Sequence, residues 1–540
     1  MKYEIIVAMI TKIKINNYRR FTSFEIDPQP GLNILVGGND AGKSTLLEAV
    51  ALATCGRLNG RWAQEELNPY WFNTEIIRQF FDDLEAGNKP ALPEISIEVY
   101  FAQDDEDTQR LRGMNNTEKR DCPGLRLRVV PDEDCSEEME KYISSPDVPR
   151  IIPTELYKVE WEDFAGKQRT RQPFGVGHAF IDARTIRSSA GIDSRTRQML
   201  KNFVTREEGI QIALQHRRSK FDITNGVLKD VNDRIQEEGD TLGVGLQMDQ
   251  SASSSWDTAV TPQVGNIPFA LIGQGQQVHA KVALAMTKDS HRARFVLIEE
   301  PENHLSHTSL TELVGKIETI AKDRQVFIST HSTYVLNRLG LGRLVLLHDG
   351  TPASISEDNL SDDTVDYYRK QPGYDTLRLV LAKKVVVVEG PSDEMIFNLA
   401  YKTTRGVEPR SDGVDVLTLG TRGKRALELA QALGRKVAVL RDNDGKDPAH
   451  WIAAADEYLK DGVREMFVGA VEYGTTLEPQ FAWCNDEDVL RDLFNVPADD
   501  DLIEYMTSNK TDVAWQLAST DLQFKYPEYM TRAIEFINGD

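Results

Sequence analysis

Cysteine is scarce. The 540 residues hold four, Cys55, Cys122, Cys135 and Cys484, and none has the paired spacing of a zinc site. That excludes a disulfide-stapled scaffold and is the usage expected of reduced thiols in a cytoplasmic protein. Long hydrophobic runs are missing too. No segment approaches the roughly 20 apolar residues of a membrane-spanning helix, so no membrane association is expected. The start, Met1–Ile10, has little basic lead and no convincing cleavage site, so it is not expected to be an export signal, and Met9 would serve equally as a start. Positive charge is in deficit: 63 Lys and Arg against 85 Asp and Glu leave a net charge of −22. Phosphate contacts demand cations, so any nucleic-acid contact is expected to be local, salt-sensitive and helped by divalent metal. There are no internal repeats and no sustained heptads. What remains is an ordinary globular composition, 40% hydrophobic and 27% charged, with length for two to four domains.

Against that background one octapeptide stands out. Gly37-Gly38-Asn39-Asp40-Ala41-Gly42-Lys43-Ser44 is a complete GxxxxGK[ST] loop. It follows the apolar run Leu32–Val36 and precedes the helical pattern Thr45–Leu52. Strand, glycine loop and helix is the context in which backbone N–H groups and the helix dipole cradle phosphates. Gly37, Asn39, Gly42, Lys43, Ser44 and Thr45 are therefore expected to bind nucleotide, with Lys43 reaching the β/γ-phosphates and Ser44 ligating Mg²⁺.

Three further pieces fit the same machine. Phe295–Ile298 is an apolar strand pattern ending in Glu299-Glu300. There the first acid can hold Mg²⁺ through water and the second can orient the attacking water as general base. Val326–Thr330 is another buried-strand pattern, ending in His331, where a γ-phosphate sensor is expected. Gly273-Gln274-Gly275-Gln276-Gln277 precedes a helical pattern, Val278–Met286, and Gly273, Gly275 and Gln277 read as a second phosphate-binding surface. Between about 103 and 172 the chain is polar with strand-like pieces, and residues 191–239 turn mostly helical.

The order of these motifs resembles an ABC/SMC-type ATPase head. In such a head the glycine-rich helix start meets nucleotide held by a partner subunit. The wording Glu299-Glu300-Pro301-Glu302-Asn303-His304-Leu305 resembles the overcoming-lysogenization-defect (OLD) nuclease family and its RecF-like relatives. Where that family often carries another histidine after His304-Leu305, this chain has Ser306 and His307.

A second module opens after Asp363. Val385–Val388 and Val437–Leu440 are continuous apolar runs with a helical pattern, Lys424–Leu433, between them. That is the grammar of a parallel sheet buried on both faces. Glu389 follows the first run directly, with Asp393 and Glu394 close behind, and Asp442-Asn443-Asp444 follows the second. Strand ends converge at one edge of a parallel sheet, and clustered carboxylates suit Mg²⁺ or Mn²⁺. Two such ions can activate water and stabilise the leaving oxygen of a phosphodiester.

The pair resembles a TOPRIM domain, and Leu419–Lys424 fits its helix-opening glycine turn. Thr476-Leu477-Glu478 resembles the third acidic motif of the OLD-type domain and Asn509–Asp512 its late lysine segment. The resemblance implies that Glu389, Asp393, Asp442, Asp444 and Glu478 bind metal, two ions in all, and that Lys510 stabilises charge on the phosphate. It implies an α/β protein in four parts. An ABC ATPase N-terminal lobe spans 1–190, a helical dimerisation insertion 191–245, the C-terminal ATPase lobe 246–362 and a TOPRIM domain with a parallel sheet 363–540. The implied activity is ATP-regulated, metal-dependent DNA cleavage in antiphage defence. The implied assembly is a homodimer or larger, with a helicase or other defence-system protein as a further partner. A RecF/SMC-like ATPase whose TOPRIM module only binds DNA is the alternative. A strand-passing or primer-making enzyme is disfavoured, since no tyrosine-bearing strand-passage domain and no zinc module is present. Basic residues expected to guide DNA are Arg422, Lys424 and Arg425, and Arg217, Arg218 and Lys220 on the insertion.

Overall fold

The computed structural model describes residues 9–182 (apart from 59, 146 and 147), 204–237, 244–286 (apart from 252 and 253), 293–348, 351–354, 360–370 and 374–539. It divides into two compact units. The first comprises Met1–Leu35, Asn39–Thr330 and Asp349–Thr351, the second Val36–Gly38, His331–His348 and Pro352–Asp540.

In the first unit β1 (Ile10–Tyr18) and β2 (Phe21–Ile26) form an antiparallel pair, and β3 (Leu32–Gly37) leads into α1 (Lys43–Cys55). The antiparallel sheet continues through β4 (Ile95–Phe101), β5 (Cys122–Pro131) and β6 (Tyr157–Asp163), in the order β2–β1–β4–β5–β6. A second, parallel sheet holds β7 (Gly177–Asp182), β8 (Ala293–Glu299) and β9 (Gln325–Ser329), in the order β7–β8–β9–β3. Helix α1 packs against strands of both sheets and most of its residues are buried. A helix covered on all sides has no need of an amphipathic pattern, and Leu46, Leu47, Ala49, Val50 and Leu52 supply none. Register sets the functional edge: Glu299 pairs with Ser329 across β8 and β9, and Ser329 pairs with Leu35 across β9 and β3. Parallel direction therefore brings the loop before α1 and the acidic end of β8 to one side.

The expected helical insertion contains α2 (Arg206–Asn225) and α3 (Val227–Glu237). Thr205 caps α2 through the Glu208 N–H while the Glu208 carboxylate accepts from the Thr205 N–H. Residues 191–203 and 238–243 of that segment lie outside the described residues. Helix α4 (Gln274–Met286) starts earlier than the apolar pattern alone indicates, taking in the glycine-rich stretch, and α5 (His307–Ile320) joins β8 to β9.

The second unit is built on β10 (Lys384–Val388), β11 (Val414–Thr418), β12 (Lys436–Arg441) and β13 (Arg464–Val468), all parallel in the order β11–β10–β12–β13. Val386, Val388, Ala438 and Leu440 join one hydrophobic core with α6 (Pro391–Arg405), α8 (Leu477–Cys484), α9 (Lys510–Ala518) and α10 (Glu528–Asn538). The alternate residues face α7 (Gly423–Leu433), which starts so close to β12 that a Cβ on Gly423 would lie 2.3 Å from Val439 Cγ1. Burial of both faces is why these strands read as unbroken apolar runs. Gly423→Val should push α7 off β12 and cost about 1–3 kcal/mol. Urea unfolding of the purified variant checks this, with an unchanged midpoint speaking against so tight a contact.

Candidate nucleotide and metal sites

In the first unit the chain turns from β3 into α1 through Gly42, which caps the helix at φ 100°. A side chain there would meet the Phe21 ring at 2.6 Å, so glycine is required by space as well as by backbone. Asp40 also takes a positive φ, 62°. Lys43, the first helical residue, is 6% exposed. Burial lowers its pKa, while the carboxylates of Glu300, Glu302, Asp40 and Glu299 work against that shift and favour the ammonium. Lys43 is thus held among acids at the helix start. Ser44 is half-buried and Thr45 buried at the same helix start.

Glu299 closes β8 and is buried. Glu300 follows at φ 44° and His304 at φ 63°, left-handed conformations rare for such residues. Their strain is held by a compact turn: the Glu300 N–H donates to Ser329 O at 2.9 Å, and Asn303 Nδ2 donates to Glu300 Oε2 at 2.8 Å. Glu302, not singled out from sequence, accepts from Thr330 Oγ1 at 2.9 Å and so ties this turn to the end of β9. Its signal is visible as the third acid of the Glu299–Glu302 run. His331 follows Thr330 directly in the chain. At the start of α4, Gly275 stands where a Cβ would be 3.0 Å from Leu305 Cδ2 and 3.2 Å from His304 O. Gly273 has open space around it. Gln277 differs from a residue poised for phosphate: its amide donates to Phe269 O and Ile272 O, bracing the turn before α4.

In the second unit the acids come to the same sheet edge. Glu389 follows β10, and Asp393 Oδ2 accepts from the Gly390 N–H at 2.9 Å in the first turn of α6. Asp442 follows β12 and is 9% exposed. Glu478, in the first turn of α8, accepts from Thr476 Oγ1 at 2.7 Å and from Lys510 Nζ at 2.9 Å. Burial, and then the charges of Asp393, Glu389 and Glu478, push Asp442 up to about 8. Burial also raises Glu389, where Asp444 and Asp393 add to the shift and Arg441 opposes it. Asp393 is raised by burial and by Glu478. Burial works against the Lys510 ammonium, but its bond to Glu478 and the charges of Asp442 and Asp393 outweigh it and keep its pKa above the usual value.

Two residues that sequence reasoning passed over organise this edge. Arg441 Nη2 lies 3.2 Å from Asp444 Oδ2 and Nη1 lies 3.7 Å from Glu389 Oε1, with its guanidinium 3.7 Å above the Trp451 ring. Asn443 is fully buried; its amide donates to Gly469 O and Gly474 O while its carbonyl oxygen accepts from the Gly445 N–H. An arginine ending a buried strand just before paired acids was the available signal.

The donor set fits a hard divalent cation. It is all oxygen, and the buried Glu389 Oε1 and Asp442 Oδ1 have no hydrogen-bond partner. The geometry is not closed around one: among the described residues no three Asp, Glu, His or Cys side chains stand as a metal-holding group. Arg441 and Lys510 instead carry the balancing charge on Glu389, Asp444 and Glu478.

The expected DNA-guiding cations are partly committed elsewhere. Lys220 is a correction: it is buried, and its ammonium donates to Asp249 O, Ser254 O and Ser254 Oγ. Arg422 and Arg425 both lie over the Tyr367 ring, and Lys424 pairs with Glu457 at 3.1 Å.

Fold and sites together define a phosphate-loop ATPase domain followed by a parallel-sheet acidic domain. The family model described as "AAA domain, putative AbiEii toxin, Type IV TA system" matches residues 32–337, more than half of the chain. The chain belongs to that family, and its second domain matches "Overcoming lysogenization defect protein-like, TOPRIM domain" over residues 380–444. Local similarity links it to the DNA replication and repair protein RecF of Stenotrophomonas maltophilia, 48% identical over 48 residues, which is 9% of this chain and 13% of that protein. It is also 53% identical over 45 residues to the DNA double-strand break repair Rad50 ATPase of Methanopyrus kandleri, 8% of this chain and 5% of that protein. The chain thus spans only a small part of the length of these curated relatives. Among solved structures, RecF with ATP aligns over 65% of this chain and 99% of its own, at 11% identity and a TM-score of 0.33. The Smc head bound to the C-winged helix domain of ScpA aligns over 65% and 98%, at 13% identity and 0.32. No helix among the described residues is long and apolar enough to cross a membrane.

The acidic edge has a signed pH dependence. Asp442 is near 8 when folded against 3.8 as an ordinary carboxylate, so the folded state holds its proton more tightly. Stability from this group is fully present below about pH 3.8 and is lost progressively as pH rises from there to the folded value near 8. In chelator, Asp442→Asn should melt above the unsubstituted protein at about pH 8 and match it near pH 4. Added Mn²⁺ should raise the Tm of the unsubstituted protein more than that of the variant. Equal melting at both pH values would contradict this.

Proposed function

We propose that the protein is an ATP-regulated, divalent-metal-dependent DNA endonuclease, nicking DNA or cutting both strands, that serves antiphage defence as a homodimer or larger assembly. The observation that carries the reading is the set of mutually repelling carboxylates at one sheet edge, Asp442 and Glu478 buried and Glu389 and Asp393 half-buried, with an oxygen of Glu389 and one of Asp442 lacking a hydrogen-bond partner. Such an arrangement is unfavourable by itself and is relieved by a cation. Glu389, Asp393, Asp442, Asp444 and Glu478 would hold Mg²⁺ or Mn²⁺ there. Bound metal supplies an activated water and charge stabilisation for an oxygen leaving phosphorus. Lys510 keeps its ammonium and offers it to the scissile phosphate, while Glu478 orients Lys510 through their 2.9 Å bond.

At the other site Lys43 would meet the β/γ-phosphates of ATP, and Ser44 and Glu299 would hold the nucleotide's Mg²⁺. Glu300 would orient the hydrolytic water and His331 would sense the γ-phosphate. Gly273 and Gly275 would present backbone to nucleotide bound by a second copy, with Gln277 supporting that turn. Nucleotide state then controls cleavage. A helicase or another defence protein would be a further partner.

One observation favours the competing reading, a RecF/SMC-like ATPase whose TOPRIM module binds DNA without cutting it: Arg441 and Lys510 already pair with three of the acids. Plasmid cleavage across an ATP titration with Mg²⁺ or Mn²⁺ separates the two. Asp442→Ala should abolish cutting and leave ATP hydrolysis within about twofold, whereas Lys43→Ala should remove ATP binding and with it ATP hydrolysis. ATPase activity intact with no cutting under any condition would favour the binding-only reading. Unchanged nucleotide affinity in Lys43→Ala would refute the phosphate-loop assignment.

A further inference from the structure

Beside the acidic edge stands an aromatic pair with no part in the chemistry above. Tyr473 and Trp483 have ring centroids 3.9 Å apart and planes inclined by 32°. Trp483 is 62% exposed, so one face of its indole is open. The backbone arranges this. Gly474, at φ 123°, lets the chain double back over α8 so closely that a Cβ would lie 2.5 Å from Pro479 Cβ. Tyr473 is thereby laid against the last turn of the helix whose first turn carries Glu478.

The same loop is bolted to the paired acids. The Asp444 N–H donates to Thr475 O at 3.2 Å, and Asn443 Nδ2 donates to Gly474 O at 2.7 Å. Tyr473 is two residues from Thr475, so its Cα lies within about 7 Å of Thr475 Cα. The loop that carries Tyr473 is therefore anchored directly to the segment that bears the paired acids.

Charge narrows what such a surface can hold. The protein carries a net charge of −22, Arg441 and Lys510 at this edge are engaged with acids, and Lys446 lies over the Trp451 ring. Neutralising phosphates cannot supply much affinity here. Stacking can, because every base offers a π-face. The rival Trp451 is already covered by Arg441 at 3.7 Å and Lys446 at 4.7 Å.

Resting on the nuclease reading, we propose that Trp483, backed by Tyr473, is the stacking platform for an unpaired base adjoining the phosphodiester at the acidic edge. Bases inside a duplex are stacked on one another and present no free face, so the platform selects single strands, flaps and melted ends over intact duplex. Trp483 is a specificity residue and takes no part in bond breaking.

The test is anisotropy of a labelled oligothymidylate with the full-length protein in chelator, with covalently closed relaxed plasmid as competitor. Trp483→Ala should weaken oligonucleotide binding about tenfold, and Trp483→Tyr should keep it within about threefold. Plasmid competition should be unchanged in both. Trp515→Ala removes a tryptophan that is 65% exposed but has no ring partner among the described residues, and should bind as the unsubstituted protein does. Undiminished binding by Trp483→Ala, or an equal loss in Trp515→Ala, would overturn the proposal. Chelator keeps cleavage out of these readouts. Binding that depends on Trp483, without cutting in Mg²⁺ or Mn²⁺, would sink the nuclease reading and leave the platform standing.

Discussion

Everything in the second unit turns on the repulsion among carboxylates that a parallel sheet forces to one edge. Glu389 and Asp442 arrive there because β10 and β12 run side by side in the same direction, with Val387 level with Val439. Asp442 is buried and Glu389 half-buried there, since the strands that carry them are covered on both faces. Without a cation such a group keeps its proton, as the rise of Asp442 to about 8 reflects. Arg441 and Lys510 relieve part of the repulsion from within the chain. The first unit faces the converse arrangement, a buried lysine surrounded by acids at the mouth of a phosphate loop. The acidic edge is short of positive charge, which a metal ion would supply.

Backbone strain marks the same places. The positive φ values of Asp40, Glu300, His304 and Asp444 all fall beside the two sites. Two of the four are held by bonds the sites themselves make: Glu300 by Ser329 and Asn303, Asp444 by Thr475 and Arg441. Such conformations persist only where surrounding structure over-determines them. The glycines serve the same end, Gly42 against Phe21 and Gly275 against the His304–Leu305 turn.

Much of this was legible from the chain alone, because it rests on local grammar. Leu32–Val36 followed by the glycine loop and a helical pattern read as a strand feeding a phosphate cradle, and the strand and helix are there. The runs Val385–Val388 and Val437–Leu440 announced strands buried on both faces, which brought Glu389 and Asp442 to one edge. What escaped depends on side chains meeting across the fold. No spacing shows that Gln277 turns back onto Phe269 O and Ile272 O, that Lys220 is buried against Ser254, or that Arg441 lies between Asp444 and Trp451. Glu302 was visible as one acid among three, but its bond to Thr330 joins segments 28 residues apart.

The central claim is that the acidic edge is a metal site, and Mn²⁺ binding followed by electron paramagnetic resonance in the absence of nucleotide tests it most directly. The account predicts at least one Mn²⁺ per chain, with affinity rising as pH rises through the range in which the acids lose their protons. The doubly substituted Glu389→Gln, Asp442→Asn protein should lose that ion. Unsubstituted protein that binds no more Mn²⁺ than the double variant would contradict the account.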